Sequence, residues 1–379
     1  MDAISIALAV TAADAFVLRS QSESEWSRPL ELVLPLADPA PWQRCATRLE
    51  AALGFLSGDT WRLDFLPGGQ PPPTQFEVNT RKRNVDLTKV DEVCLFSGGL
   101  DSGAAALLKL RNGERPLLVS HGYTGDAGYQ DRVSELLPQP HQRFSLHAYP
   151  ERSGARDISM RARSFSFLAF GALAADTLST IRSGKIIDLV VPENGLIALN
   201  APLTPRRMGS LSTRTTHPHY LAEIQAVFQE VGLQVAISNP YELQTKGEML
   251  TAAASVSNDI ETFAAKTVSC GKWKRTGVQC GRCVPCLIRR AALYAANIDD
   301  LTPYASPDLE RVMLSEGERD DVMAMLTALL RRSNRQVRWI AQSGPLPLDT
   351  HRRTGLIDVH RRGLQEVGEF LRDSGLPVD

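Results

Sequence analysis

The chain has 379 residues, of which 43% are hydrophobic and 22% are charged, a composition typical of globular rather than disordered proteins. Its formal net charge of −1 excludes a bulk electrostatic field that would attract nucleic acid or an anionic membrane. The sequence predicts neither a signal peptide nor a membrane span, and its six cysteines suggest a reducing compartment. We therefore expect a cytoplasmic protein that binds neither nucleic acid nor membrane.

Residues 1–89 are expected to form a small N-terminal α+β appendage. An amphipathic helix is predicted around Trp42–Leu56, and the Pro- and Gly-rich segment 67–74 predicts a turn or linker. Short apolar runs predict strands at Ile4–Val10, Phe16–Arg19, Leu30–Leu36 and Trp61–Leu66.

From Val90 the pattern changes to an alternation of short apolar runs and helical stretches. Continuous apolar runs are typical of buried parallel strands, whose helices cover both faces of the sheet. Residues 90–300 are therefore predicted to form an α/β core with a doubly wound parallel sheet, which binds ligands at the carboxyl ends of its strands. The predicted strands are Val93–Phe96, Pro116–His121, Phe144–Tyr149, Ile186–Pro192 and Gln234–Ser238, and the predicted helices are Ser102–Leu110, Gln130–Leu137, Ser164–Ile181 and His219–Val231.

Residues 301–379 are expected to form a C-terminal helical region. Helical patterns lie at Asp308–Arg332 and Ile357–Leu376, and the Gly344–Leu348 stretch between them predicts a break.

A glycine-rich loop, Ser97–Ser102, follows the first core strand and reads SGGLDS. Gly98 and Gly99 let the backbone curl so that several N–H groups converge, and the following helix adds partial positive charge. The hydroxyls of Ser97 and Ser102 can donate to phosphate oxygens, and Asp101 can hold a magnesium ion or cap the helix. The alternative is an ordinary glycine turn, but the six positions together favour a phosphate site.

Four of the six cysteines lie close together in the sequence, in the order C-x9-C-x2-C-x2-C. Two short spacings of two residues and one longer spacing of nine residues are typical of a tetrahedral structural zinc site. Four thiolate ligands leave no coordination position open for catalysis. The alternatives are an iron–sulfur cluster, a catalytic thiol or buried free cysteines. The predicted metal ligands are Cys270, Cys280, Cys283 and Cys286.

The two motifs together resemble those of the 7-cyano-7-deazaguanine synthase (QueC) family of ATP pyrophosphatases. That family has an SGGxDS loop and, further on, a CGxCxxCxxR segment, which here is Cys280–Arg289. Arg163–Leu168 is similar to its RNxxFL segment, with Ser164 in place of Asn, and Asn239–Glu248 is similar to its P-L-x-x-x-x-K-x-E stretch. The resemblance covers roughly residues 90–294.

The resemblance implies that ATP is cleaved between its α and β phosphates and that AMP is transferred to the carboxylate of 7-carboxy-7-deazaguanine. Ammonia would then give an amide, and a second ATP-dependent step the nitrile. Magnesium would accompany ATP, and zinc would be structural. We expect ATP to be bound by Ser97, Gly98, Gly99, Asp101, Ser102 and Arg163, and catalysis to depend on Asp101, Glu193 and Lys246.

Residues 192–218 depart from the family's Tyr-Pro-Asp-Cys stretch and look like the QueC-like proteins of bacterial anti-phage systems, the Qat system (QatC) and type IV CBASS. That similarity implies that a deazaguanine is attached to an amine of a partner protein from the same defence operon. The long terminal segments are possible docking surfaces for this partner.

Several polar residues of this region are candidates for substrate binding. Glu193 is placed to accept from the N1–H and amine of a guanine-like base, and Arg206 and Arg214 to pair with a carboxylate or phosphates. Asn194 and Phe167 are further candidates, the latter by stacking on a base. The alternatives are a solvated polar loop, a core position for Phe167 and an exposed helix position for Lys246.

Two other functions fit the same motifs. A tRNA-thiolating pyrophosphatase would need a reactive thiol and a basic surface. A non-catalytic ATP-binding scaffold would keep the fold without the reaction, and the intact SGGLDS loop speaks against it.

Overall fold

A computed structural model of the chain describes residues 1–71, 74, 86–122, 126–148, 150–157, 161–205, 214–273, 277–331 and 336–378. Its strands are β1 (Pro29–Leu36), β2 (Thr60–Pro67), β3 (Glu92–Leu95), β4 (Pro116–His121), β5 (Gln142–Leu146), β6 (Ile187–Val190) and β7 (Val235–Ser238). Its helices are α1 (Asp2–Phe16), α2 (Pro39–Ser57), α3 (Leu100–Arg111), α4 (Ala127–Glu135), α5 (Arg163–Ile181), α6 (Gly195–Leu199), α7 (Pro218–Glu230), α8 (Lys246–Ala254), α9 (Ile260–Lys266), α10 (Val284–Ala295), α11 (Leu309–Leu314), α12 (Asp320–Leu330), α13 (Gln336–Ile340) and α14 (Thr350–Asp373).

The central sheet has five parallel strands in the order β5-β4-β3-β6-β7. In the register of the sheet, Val93 of β3 lies between Leu117 of β4 and Leu189 of β6. The chain runs outwards from β3 to β5 and then crosses to β6, so the topological switch point lies between β3 and β6. The predicted α/β fold with a doubly wound parallel sheet is confirmed, and the carboxyl ends of β3 and β6 are neighbours.

Successive residues of β3 point into two different apolar cores, as the period of a strand requires. Val93 and Leu95 join the core that contains residues of α1, α5 and α7. Cys94 joins the core that contains residues of α3, α9 and α10. Because both faces are covered by helices, the strands carry apolar side chains on both sides, which is the pattern seen in the sequence.

In the N-terminal region, the predicted helix and two of the four predicted strands are confirmed, and the other two strands are wrong. β1 and β2 pair in parallel as a separate two-stranded sheet, with α2 between them in the chain. The predicted strand Ile4–Val10 is wrong, because these residues lie in α1. The segment is rich in alanine, a strong helix former, and is apolar on all sides, so it lacks the helical periodicity of a surface helix. The predicted strand Phe16–Arg19 is also wrong, because Phe16 ends α1 and a 3-10 turn begins at Arg19.

The C-terminal region is helical, as predicted, but its helices have different bounds. The single stretch predicted at Asp308–Arg332 is two helices, α11 and α12, and α14 begins at Thr350 with Asp349 as its cap. The expected domain boundaries at residues 89 and 300 stay predictions. One apolar core extends across the first of them, since Ile6 and Leu189 belong to the same cluster.

Among the described residues, α5 has the length and the apolarity of a membrane-spanning helix, with a mean hydropathy of 1.3. In this fold 61% of that window is buried, and the helix packs between α1 and the central sheet.

Candidate active site

The SGGLDS loop joins β3 to the N-terminus of α3 at the switch point. Gly98 has a φ of +75°, and a Cβ atom there would lie 2.9 Å from the ring of Tyr129. Both the backbone conformation and the close approach therefore require glycine. The Gly98 carbonyl accepts from the N–H of Val268 at 3.1 Å, which holds the loop from its other side.

The two serines of the loop lie against each other. The Ser102 hydroxyl is 3.0 Å from that of Ser97 and accepts from the Ser97 N–H at 3.2 Å. Gln130 of α4 donates to the Ser97 carbonyl at 3.3 Å. Hydroxyl groups and the free N–H groups of the first turn of α3 are thus gathered at one helix N-terminus, an arrangement that can bind an anion such as phosphate.

A polar cluster lies directly beside this loop, and we call Asp101, Asn194, Glu193 and Lys246 the switch-point cluster. Glu193 is half-buried, and the other three are buried. Lys246 Nζ is 2.7 Å from Asp101 Oδ1, and Asn194 Nδ2 donates to Asp101 Oδ2 at 2.7 Å. Asn194 also donates to Glu193 Oε1 at 3.4 Å. Four residues predicted from three separate stretches of sequence therefore meet at one point.

The two carboxyl groups of the switch-point cluster have opposite pKa shifts. Burial opposes ionisation of Asp101, but the charge of Lys246 and hydrogen bonds from its neighbours lower its pKa to about 2. Burial raises the pKa of Glu193 well above its usual value, and the adjacent charge of Asp101 raises it further. Asp101 is therefore the member that ionises more readily, and Glu193 is the one that holds a proton more strongly.

Lys246 is buried, with 7% of its surface exposed, so the alternative of an exposed helix position is wrong. It is the first residue of α8, which begins with a capping box. The Thr245 hydroxyl accepts from the Glu248 N–H at 3.1 Å, and the Glu248 carboxylate accepts from the Thr245 N–H at 2.9 Å. This cap fixes the start of α8 at the residue whose side chain reaches Asp101.

Two other predicted residues lie on α5, near the carboxyl ends of the strands. Arg163 forms an ion pair with the buried Asp126 at 2.5 Å, at the start of the helix whose Tyr129 faces Gly98. Phe167 is half-buried, and its ring centroid is 6.4 Å from that of His121, the last residue of β4. Their assigned roles in ATP and base binding stay predictions.

Of the two arginines predicted to bind the substrate, only Arg214 lies within the described residues. Arg206 lies outside the described residues. Arg214 packs on α2, where it donates to the Phe55 carbonyl at 3.1 Å and its guanidinium lies 4.5 Å from the centre of the Phe55 ring. The contacts described for Arg214 are thus with the N-terminal region and not with the switch-point cluster.

One residue that supports the cluster was not singled out in the sequence. Asn239 follows β7 and bridges to the backbone of Glu193: it donates to the Glu193 carbonyl at 2.8 Å and accepts from the Glu193 N–H at 3.4 Å. It lies at the carboxyl end of a strand, as Glu193 does, so the rule that pointed to Glu193 would also have found it.

The four predicted metal ligands form one buried group. Their Sγ atoms all lie within 4.8 Å of one another, and Cys270–Cys283 and Cys280–Cys286 are each 3.9 Å apart. Zn–S bonds of about 2.3 Å in a tetrahedron place sulfurs about 3.8 Å apart, so the group fits zinc. Backbone N–H groups of Lys272 and Cys280 donate to Cys270 Sγ at 3.3 Å, which favours the thiolate form that a metal needs.

Comparison with known proteins places these features in a family. The chain is 35% identical over 247 residues to the 7-cyano-7-deazaguanine synthase of Paracoccus denitrificans (strain Pd 1222), a match that covers 60% of this chain and 98% of that protein. The chain belongs to the 7-cyano-7-deazaguanine synthase family. The synthase of the same name from Ruegeria sp. (strain TM1040) is 36% identical over 74 residues, 20% of this chain and 29% of that protein. No family model matches the chain.

The match also shows how this member of the 7-cyano-7-deazaguanine synthase family differs in size. Nearly all of the Paracoccus synthase aligns with 60% of this chain, so a large part of this chain has no counterpart in that relative.

Proposed function

We propose that this protein binds ATP at the Ser97–Ser102 loop and transfers AMP to the carboxylate of 7-carboxy-7-deazaguanine or a close analogue. The observation that carries the proposal is the switch-point cluster beside the glycine loop, because it brings a buried lysine and an ionised aspartate next to an anion-binding helix terminus. Membership of the 7-cyano-7-deazaguanine synthase family supports the choice of substrate.

In the first step, a carboxylate oxygen of the substrate attacks the α phosphorus of ATP. The bond from that phosphorus to the oxygen bridging the α and β phosphates breaks, and pyrophosphate leaves. The loop N–H groups, the Ser97 and Ser102 hydroxyls and the N-terminus of α3 stabilise the charge of the leaving pyrophosphate.

In the second step, an amine attacks the acyl carbon of the adenylate. The C–N bond forms as the C–O bond to AMP breaks, AMP leaves, and the amine loses a proton to solvent. Since the activated acyl group already carries a good leaving group, the protein mainly has to position the amine.

The residues of the switch-point cluster are proposed to bind the α phosphate, magnesium and the base. Lys246 neutralises charge on the α phosphate, and Asn194 orients Asp101. Asp101 supplies the hard, ionised oxygen that magnesium prefers, and magnesium bound there would neutralise the phosphates. Glu193, with Asn194 beside it, recognises the N1–H and exocyclic amine of the base. Arg163, Phe167 and Arg206 keep their predicted roles in phosphate, base and carboxylate binding, whereas Arg214 packs on α2.

The amine is proposed to belong to a partner protein of the same anti-phage defence operon, which the similarity of residues 192–218 to QueC-like defence proteins supports. A second candidate is ammonia, which leads to the free nitrile; the names of the two relatives favour it. Transfer of sulfur to tRNA is disfavoured, because four of the six cysteines are gathered in one metal-binding group.

The test is conversion of ATP to AMP by the zinc-loaded protein, with and without 7-carboxy-7-deazaguanine. We expect AMP formation to depend on this acid and to fall by at least about a hundredfold in Asp101→Asn, which keeps the shape of the side chain. Asp131→Asn, at an exposed position of α4, is the matched control. AMP formation that ignores the acid would overturn the proposal. Mass spectrometry of candidate partners then distinguishes a protein amine from ammonia.

A further inference from the structure

The C-terminal helix α14 packs on the elements that carry the switch-point cluster. Leu364 and Val367 of α14 share an apolar core with Leu196 of α6, the short helix that directly follows Glu193 and Asn194. The helix α14 also contacts residues 242–248, which include the first turn of α8. There Arg352 forms a bidentate ion pair with Glu242 at 2.6 and 2.8 Å.

Glu366 of α14 binds the backbone on both sides of Lys246. One carboxylate oxygen accepts from the hydroxyl of Thr245, and the other accepts from the N–H of Gly247 at 3.3 Å. The approach is close, since a Cβ atom on Gly247 would lie 2.5 Å from Glu366 Oε1. Lys246 is thus the residue between the two that Glu366 holds, and its Nζ is the group that contacts Asp101 at 2.7 Å.

The surroundings of Glu366 make this contact sensitive to protonation. Burial raises the pKa of Glu366 to about 7, against the effect of the hydrogen bonds from Thr245 and Gly247. The neighbouring charges are Glu248 of α8, which raises the pKa, and Arg362 of α14, which lowers it. The third element packed there, α10, presents Ala295. A protonated Glu366 loses the negative charge that strengthens its hydrogen bonds to the Thr245 hydroxyl and the Gly247 N–H.

We infer that Glu366 is a positioning residue, through which the C-terminal helix holds Lys246 against Asp101. Thr245 also caps α8, so one carboxylate fixes both the helix start and the direction of the lysine side chain. The consequence for ATP binding rests on the proposed function. The contact itself is independent of that function.

The first test compares Glu366→Gln with the matched control Glu369→Gln, an exposed glutamate one turn further along α14. The measured quantity is the affinity for an ATP analogue with a methylene group between the α and β phosphorus atoms, from pH 6 to pH 8. Wild-type affinity is expected to fall as the pH drops through about 7, because protonation weakens the hold on Lys246. In Glu366→Gln the affinity should be about tenfold lower at pH 8, and this pH step should be absent, since the neutral amide does not titrate and forms weaker hydrogen bonds to Thr245 and Gly247 than a carboxylate does.

If Glu366 only stabilised the fold, the expected result would differ. In that case Glu366→Gln would lower the unfolding midpoint but keep the wild-type affinity and the pH step. That outcome, or the same loss in Glu369→Gln, would overturn the inference.

The second test does not depend on ATP. The urea midpoints of Glu366→Gln, Lys246→Met and the double variant form a cycle, and we expect a smaller shift from the second substitution once the first is present. Additive shifts would overturn the positioning role. If the wild-type protein binds no ATP analogue but the cycle is non-additive, the proposed function fails and the positioning of Lys246 stands.

Discussion

At the scale of single residues, the switch-point cluster holds two carboxyl groups with opposite pKa shifts. Burial and the adjacent charge of Asp101 both raise the pKa of Glu193, so Glu193 holds a proton more strongly than Asp101 does. A guanine-like base would offer two N–H donors to Glu193, and donors favour the carboxylate form, so binding of the base should release the proton.

We therefore expect binding of 7-carboxy-7-deazaguanine to release protons from Glu193 and to tighten as the pH rises toward the raised pKa of Glu193. Calorimetry in two buffers with different ionisation enthalpies measures the release. Glu193→Gln has no proton to lose there and should show none. Proton uptake by the wild-type protein would contradict the assigned role.

Gly98 is the second position where one residue decides the geometry of the site. Gly98→Ala forces a side chain into a left-handed backbone position and against the ring of Tyr129, so the loop must shift. We expect at least about a tenfold loss of ATP affinity. Gly113→Ala is the control, since Gly113 has a φ of +83° with no atom within 4 Å of the added Cβ. It should lose about 1 kcal/mol of stability and keep its ATP affinity. Equal ATP affinities of the two variants would argue against the loop as the phosphate site.

At the scale of elements, a buried ionic network joins the N-terminal region to the core. Asp59 accepts from Arg28 Nη2 at 2.7 Å and from Arg19 Nη2 at 2.8 Å, and Asp14 accepts from the N–H of Ala162, the residue before α5. Burial opposes ionisation of Asp59, but the hydrogen bond and charge of Arg28 outweigh it and lower its pKa.

Asp59→Asn leaves two buried guanidinium groups short of one negative charge and should lower the free energy of unfolding by about 3–5 kcal/mol. Urea denaturation measures the loss, with Asp64→Asn on the exposed face of β2 as the control. Because the folded-state pKa of Asp59 is lowered, its contribution is present above the usual aspartate pKa and is lost as the pH falls below it. A wild-type midpoint for Asp59→Asn would show that the network adds no stability.

At the scale of the whole molecule, the segment that leads into the four-cysteine group contacts the phosphate loop, although the two are far apart in the chain. Val268, which donates to the Gly98 carbonyl, precedes Cys270 by two residues. Arg289, three residues after Cys286, is fully buried and donates to the Thr267 hydroxyl at 2.7 Å. A metal at the cysteines would therefore stabilise the segment that holds the loop.

We expect about one zinc per chain, and we expect chelation or Cys283→Ser to lower both the thermal midpoint and the ATP affinity. Cys45→Ser, at a buried lone cysteine of α2, is the control and should keep the metal. Elemental analysis and thermal unfolding provide the two measurements. Wild-type metal content in Cys283→Ser would exclude the four-thiolate site.

The sheet, the glycine loop and the cysteine group could all be predicted from the sequence, because each depends on local chemistry. A strand that is covered on both faces needs a continuous run of apolar residues. The spacing of the glycines and of the cysteines along the chain indicates a phosphate loop and a metal site. The strand predicted at Ile4–Val10 was wrong, because this alanine-rich helix is apolar on all sides and its sequence lacks the periodicity of an amphipathic helix.

Which polar residues meet could not be predicted, because it depends on how the chain packs. Lys246, Glu193 and Asp101 are far apart in the chain, and they come together because β3 and β6 are neighbours and α8 begins at the same edge. Arg214 carries the same charge as Lys246 but packs on α2 instead. Glu366 was not predicted, since a glutamate on a charged helix has no local signal; its role arises from the packing of α14 on residues 242–248. Long-range contacts of this kind depend on the fold as a whole, whereas spacing along the chain does not encode them.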